Sequence, residues 1–189
     1  FRNVHKQGGI VIHNHPGYRR ETTEKNDWLT EVYAEKLFDG VEVVNGGTLY
    51  PHIVRRCIDE KLTMFANTDI HGLTAHTYAK AGQHRTMTLI FAKDLTEKAI
   101  KDAILKHRTI AYAKGCLIGE ESWLTEFLNA AIDCKIVKED AKKGVRTYML
   151  TNTTSITYKL HRGKAVYELE PFKTLMVNCS KDKKSGNYH

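Results

Sequence analysis

Two short apolar runs in this chain end abruptly in residue types that bind metals. Ile10-Val11-Ile12 leads straight into His13-Asn14-His15-Pro16-Gly17. Leu62-Thr63-Met64-Phe65-Ala66 leads into Asn67-Thr68-Asp69-Ile70-His71-Gly72. β-Branched and aromatic residues suit a buried strand, and in barrels of parallel strands the reacting side chains stand where a strand gives way to its loop. Asp69 and His71 are two apart, so in an extended chain they point to one side. A carboxylate and an imidazole converging from one strand end make half of a site for a divalent metal ion. A lone histidine at a strand end is usually a surface or hydrogen-bonded residue. Two such ends in one small unit, each followed by glycine or Pro-Gly, tip the reading toward a metal site.

Other candidates gather around these runs. Val41-Glu42-Val43-Val44-Asn45 supplies a further strand end. Asn45 there can line a pocket and bind substrate or orient a water, while Glu42 reads as a structural carboxylate in mid-strand. Arg19 and Arg20 follow the histidine cluster closely, where a guanidinium can grip phosphate oxygens bidentately. His76 and His84 lie in a loop and are weaker candidates. No Gly-rich phosphate loop, no GxSxG elbow and no placed cysteine nucleophile is present.

These residues need elements to hold them. The pattern predicts the end of a helix over Arg2 to Gln7, stopped by Gly8-Gly9, and a strand at about 10–14. A helix from Trp28 to Phe38 follows, capped by Asn26 or Asp27, with Trp28, Val32, Ala34, Leu37 and Phe38 on its apolar face. Then come a strand over Val41 to Asn45, a helix over Pro51 to Lys61 and a strand over Leu62 to Ala66. Residues 72–84 read as an active-site loop. A strand over Arg85 to Ala92, a helix capped by Thr96 and running to about Lys106, a strand over Thr109 to Tyr112, and a helix over Gly119 to Ala131 complete the series. Its inward residues are expected to be Trp123, Leu124, Phe127 and Leu128. Alternation of strand and helix with short links argues for parallel strands in an α/β barrel or open sheet. From about Lys135 the texture becomes period-two and rich in Thr, Tyr and Val. Segments over Val145 to Thr151, Ser155 to Leu160, Ala165 to Leu169 and Thr174 to Val177 read as antiparallel strands.

The chain has 189 residues, enough for one domain or one and a half. It is 41% hydrophobic and 27% charged, which reads as globular rather than disordered. The net charge of +7 admits phosphate-bearing partners. The basic residues are scattered, however, and only Lys181-Asp182-Lys183-Lys184 forms a run, a solvated tail rather than a nucleic-acid grip. No apolar run approaches the ~18 residues of a membrane span. Cys57, Cys116, Cys134 and Cys179 form no CxxC pair, which argues against a cysteine zinc site and suits buried free thiols, with a disulfide left open. No signal peptide is visible, and the chain starts at Phe1, so its natural amino terminus is expected to lie upstream.

The motifs His15-Pro16-Gly17, Gly40 to Gly46 and Asp69-Ile70-His71 resemble the PHP (polymerase and histidinol phosphatase) family of metal-dependent phosphoesterases. More narrowly, Asn14 to Gly17, Gly40 to Gly46, Arg85 to Ala92, Arg108 to Tyr112 and Leu117-Ile118-Gly119 are similar to bacterial phosphodiesterases grouped with the haloalkyl-phosphate hydrolases. The resemblance covers roughly two-thirds of the chain. It implies an α/β fold, the C-terminal part of a distorted (β/α)7 barrel over 1–134, while the residue pattern beyond it reads as a small antiparallel β appendage over 135–180 and a disordered tail over 181–189. It implies His15, Asp69 and His71 as metal ligands, with Asp69 and His15 catalytic; Arg19, Arg20 and Asn45, by their positions, are then expected to bind substrate. His13 falls where the family varies and is expected beside the ligands. Two or three divalent ions, zinc, manganese or iron, are the implied cofactors. The family's opening histidine-x-histidine strand and the ligands of the next strands are not in this sequence. The implied partners are therefore a small phosphate-ester substrate and the missing N-terminal half of the barrel or a neighbouring chain, with no membrane and no nucleic acid. Relatives of the narrower type often carry secretion signals, which favours a periplasmic over a cytoplasmic location.

The function so implied is hydrolysis of a phosphomonoester or phosphodiester by a metal-activated water, in the complete parent protein. Two rivals remain: an amidohydrolase-type metal hydrolase, whose barrel also carries strand-end His and Asp ligands, and an inert fragment or interaction module presenting the β appendage.

Overall fold

Val41, Val43 and Val44 are buried at 0%, 0% and 1% exposure, and the strand that carries them, β2 (Gly40–Asn45), is the spine of the part that holds the candidate site. The computed structural model describes residues 1–18, 24–78 and 84–182. A strand apolar on both faces is covered on both, as in parallel sheets. β1 (Ile12–His13) and β4 (Thr63–Asn67) both pair with β2 in parallel. The two-residue β3 (Thr48–Leu49) folds back on its end through Gly46-Gly47. Short α1 (Arg2–Lys6) precedes β1. α2 (Asp27–Ala34) links β1 to β2, and α3 (Pro51–Glu60) leads into β4. In α3, Ile53 and Cys57 are four apart and fully buried, with Val54 and Ile58 packed beside them. They meet β2, Leu29 and Val32 of α2, and Met64 and Ala66 of β4 in one core. Each large aliphatic side chain so buried contributes about 1.5–3 kcal/mol.

The helices end on backbone hydrogen bonds that the sequence makes possible. Past α1, Gly8 sits at φ 77, with Gly9 N–H donating to Val4 C=O and Gly8 N–H to His5 C=O. This is the expected stop, a Schellman closure with glycine at the left-handed position. α2 closes the same way on Lys36 (φ 53), with Leu37 N–H bonded to Val32 C=O. That ends it at Ala34, earlier than the predicted Phe38. Trp28, expected on its buried face, is 55% exposed. Asn26 is the cap, its side chain accepting from Leu29 N–H at 2.8 Å.

After β4 come α4 (Thr74–Tyr78), β5 (Met87–Ile90), α5 (Glu97–Leu105), β6 (Thr109–Ala113), β7 (Cys116–Ile118) and α6 (Glu121–Ala131). Strand–helix alternation predicted parallel strands here, yet β5 pairs with β6 antiparallel, and so does β6 with β7. The reason is the closure of α5. His107 (φ 57) turns the chain back, and Phe91 N–H donates to Arg108 C=O at 3.0 Å. The helix is thus an insertion in a hairpin rather than a crossover. Threonines join this sheet to β4: Thr88 Oγ1 accepts from Ala66 N–H (2.9 Å) and donates to Ala66 C=O (3.0 Å), and Thr109 Oγ1 donates to Met64 C=O (2.9 Å).

The chain divides into two compact units, Phe1–Leu124 and Thr125–His189, with the division inside α6. In the second unit β8 (Ile132–Asp140), β9 (Val145–Asn152) and β12 (Thr174–Ser180) form an antiparallel sheet in the order β12-β9-β8, and β10 (Tyr158–Arg162) pairs with β11 (Ala165–Leu169) as a hairpin. β8 was not expected, because its lysines and acids mask its alternation. The buried Asn152 ties this unit together: its Nδ2 donates to the carbonyls of Ile156, Leu169 and Glu170, and its Oδ1 accepts from Thr154. The tail expected over 181–189 lies outside the described residues from 183 onward.

The fold is mixed α/β. Among the described residues the sheets have four, three, three and two strands, and none of them closes into a barrel. Of the four cysteines, all free, Cys57 is buried, while Cys116 and Cys134 are exposed. No helix among the described residues is long and apolar enough to cross a membrane.

Candidate active site

The C-terminal ends of β1, β2, β4 and β6 lie on one side of the first unit. β1, β2 and β4 are parallel by register. β6 runs with them, because Thr109 at its start meets Met64 at 2.9 Å while Lys114 just past its end reaches the Gly47 carbonyl at 3.0 Å. His15 therefore follows the end of β1, Asn45 ends β2, and Asp69 and His71 follow β4. Both His15 and Asp69 are exposed, and both hold left-handed backbone, at φ 33 and φ 50. Such conformations cost energy in residues other than glycine and gather at functional sites. Three other left-handed non-glycine residues of this unit, Lys36, Lys61 and His107, simply terminate helices.

Beneath these ends lies a carboxylate. Glu42 is 1% exposed. Its Oε2 accepts from the His15 backbone N–H and from Asn45 Nδ2 at 3.1 Å, and its Oε1 accepts from Asn67 Nδ2 at 2.9 Å. One buried side chain thus holds the ends of β1, β2 and β4 together. A buried carboxylate is tolerated only when its oxygens are hydrogen-bonded, and here the donors are neutral amides. Burial first, then the carboxylates of Glu42 and Asp69, raise the Tyr50 hydroxyl above its ordinary pKa, so Tyr50 feels both carboxylates.

His71 is oriented by its own turn: Nδ1 lies 2.8 Å from Asp69 C=O. A carbonyl can only accept, so Nδ1 carries a proton, which leaves Nε2 as the nitrogen that a metal would take. His13 is turned to other work. Its Nδ1 is 2.8 Å from Tyr33 Oη, and its ring stacks on Phe38 with centroids 4.9 Å apart. The ring of His15 packs against Tyr18.

A cleft of about 400 Å³ opens beside the end of β4, lined by Gly46, Gly47, Asp69, His71, His84, Thr86 and Lys114 among others. It joins Asp69 and His71 with His84, a residue weighed only weakly from sequence. His15 and Asn45 are not among its lining residues, and neither is His76. Arg19 and Arg20 lie outside the described residues.

The donors fit a divalent ion in type but not in number. Among the described residues no three His, Cys, Asp or Glu side chains come close enough together to hold an ion. His15, Asp69 and His71 stand at neighbouring strand ends without closing a ligand set, and no step through a metal follows from this chain alone. Sequence reading placed Glu42 as a structural carboxylate, which the fold bears out, and passed over Lys114. Glu42 carried a signal, a carboxylate inside an otherwise apolar strand. Lys114 carried only a Lys-Gly turn.

No family model matches the chain, and no curated protein matches it. Among solved structures it is similar to a two-domain protein from Bacteroides vulgatus ATCC 8482 containing a predicted PHP-like metal-dependent phosphoesterase. The two are 31% identical, with a TM-score of 0.84 over 94% of this chain and 55% of the other. The chain thus spans about half the length of that protein.

Proposed function

We propose that this chain supplies part of the active site of a PHP-type metal-dependent phosphoesterase. The observation that carries this reading is the convergence of His15, Asp69 and His71 on one set of parallel strand ends, tethered from below by Glu42. The likeness to a protein containing a PHP-like phosphoesterase supports it. In such a site divalent ions supply an activated water and neutralise charge on the phosphoryl oxygens. This chain's own residues have simpler tasks. His15 and His71 offer imidazole nitrogens, Asp69 offers a carboxylate that also orients the attacking water, and Arg19 and Arg20 hold a non-bridging phosphate oxygen. Asn45 positions the substrate from the end of β2.

The remaining ligands come from barrel strands outside this chain, in a longer polypeptide or a second piece, and the assembled site sits in a distorted (β/α)7 barrel. Two or three ions of zinc, manganese or iron fill it. The substrate is a small phosphate ester of the kind taken by haloalkyl-phosphate-type phosphodiesterases, rather than nucleic acid, and a periplasmic location is favoured over a cytoplasmic one. Replacing Asp69 by Asn in the complete protein is expected to lower phosphate-ester turnover at least a hundredfold and to reduce bound metal in elemental analysis. Full activity in that variant overturns the assignment.

A further inference from the structure

Among the described residues no carboxylate claims Lys114. It follows β6 and opens the two-residue turn to β7, where Lys114 and Gly115 have φ 50 and φ 78. Positive φ at both central positions marks a type I′ turn, which favours Asn, Asp or Gly at the first. A lysine there is held in a left-handed conformation that its side chain does not favour. With His15 and Asp69 it is one of three left-handed non-glycine residues among the described residues of the first unit that do not end a helix.

Its side chain crosses the Gly46-Gly47 turn at the end of β2, and Nζ donates to Gly47 C=O at 3.0 Å. Glycine makes room for this. A Cβ on Gly47 would lie 2.8 Å from the lysine Nζ and 2.9 Å from its Cε. Thr86 Oγ1 holds the neighbouring Gly46 carbonyl, so the turn beneath the lysine is pinned from two strands. The ammonium has three donors, and the Gly47 carbonyl takes one. No carboxylate among the described residues lies within ion-pair distance of it. It lines the cleft that also holds Asp69, His71 and His84.

The geometry points to Lys114 as the anion anchor of this cleft, binding a phosphoryl oxygen of the substrate with the two donors that Gly47 leaves free. The inference rests on the phosphoesterase reading for the identity of its ligand. It places a fixed positive charge on the β6 side of the cleft, across from Asp69 and His71 on the β4 side. Lysine suits this task as a point charge with rotatable donors, able to follow an oxygen without demanding bidentate geometry.

The test uses the complete protein, with inorganic phosphate as the probe in calorimetry and a phosphate ester as substrate. Lys114→Gln is expected to weaken phosphate binding at least tenfold and to raise KM by a similar factor, with a smaller change in kcat. Lys114→Arg, which keeps the charge, is expected to stay within about threefold of the parent. Gly47→Ala displaces the lysine end without removing it and is expected to weaken phosphate binding too. Wild-type phosphate affinity in Lys114→Gln, with the hydrolase active, overturns the anchor and leaves the phosphoesterase reading in place. So does a parent protein that hydrolyses phosphate esters while binding no inorganic phosphate. Phosphate bound through Lys114 in a protein that hydrolyses no phosphate ester supports the anchor and overturns the hydrolase reading.

Discussion

A single buried carboxylate ties the strand ends of this site together, beneath the exposed His15, Asp69 and His71. Glu42 receives three N–H groups from three different strand ends. Glu42→Gln puts an amide nitrogen where an acceptor was and leaves at least one buried donor unpaired. The expected cost is about 1–3 kcal/mol, read as a lower midpoint in urea denaturation; an unchanged midpoint would show that the carboxylate holds nothing together. Two other buried groups set the alkaline limit. Burial raises Tyr33 from 10.0 to about 12, with the Arg56 guanidinium opposing, and raises Cys57 from 9.0 to about 12. In each case the unfolded chain loses its proton first as pH rises. The stability these neutral groups confer is therefore complete below about pH 9 and falls as pH climbs toward 12. Alkaline unfolding of the parent should show this decline, and Cys57→Ala should lose the part that begins near pH 9. Against a thiol reagent at pH 8, Cys116 and Cys134 should react well before Cys57.

At the scale of elements, side-chain hydrogen bonds join strands that do not pair directly. Thr88 and Thr109 link β5 and β6 to β4 in this way. Asn152 does the equivalent for the second unit, where the two N–H donors of one buried amide reach three carbonyls, one of them shared, and its oxygen accepts from a threonine. Asn152→Ala strands those carbonyls, and a loss on the order of 2 kcal/mol or more is expected. Retention of the parent melting profile would show that water replaces the amide at no cost. Such joints are hard to read in a sequence. A threonine in a strand pattern reads as a β-former, and nothing local says which distant backbone group its hydroxyl meets. The helices were more legible. Asn26 and Thr96 act as the expected caps, accepting from Leu29 N–H and Ala99 N–H, because a cap and its partners lie within one turn.

For the molecule as a whole, the decisive quantity is the metal it keeps. The described residues offer donors at neighbouring strand ends but no closed set of three, and the chain spans 55% of the two-domain protein it resembles. The 189-residue chain is expected to retain well under one ion per chain after dialysis, and the complete protein about two or three. Equal metal in both would show that the ligand set closes within this chain. The net charge of +7 bears on this scale as well, since a phosphate ester approaches a basic protein faster at low salt.

Local order was already decided by the sequence. The apolar runs that became β1, β2 and β4, the caps, the glycine stop after α1 and the placing of His15, Asp69 and His71 at strand ends all follow from interactions within a few residues. Three features required the tertiary structure. β5 runs antiparallel because Phe91 meets Arg108 across an inserted helix. Glu42 serves three strand ends because β1 and β4 both lie against β2. Lys114 enters the cleft because a glycine 67 residues away leaves room for it. Each depends on contacts between distant residues, which packing sets and local pattern does not encode.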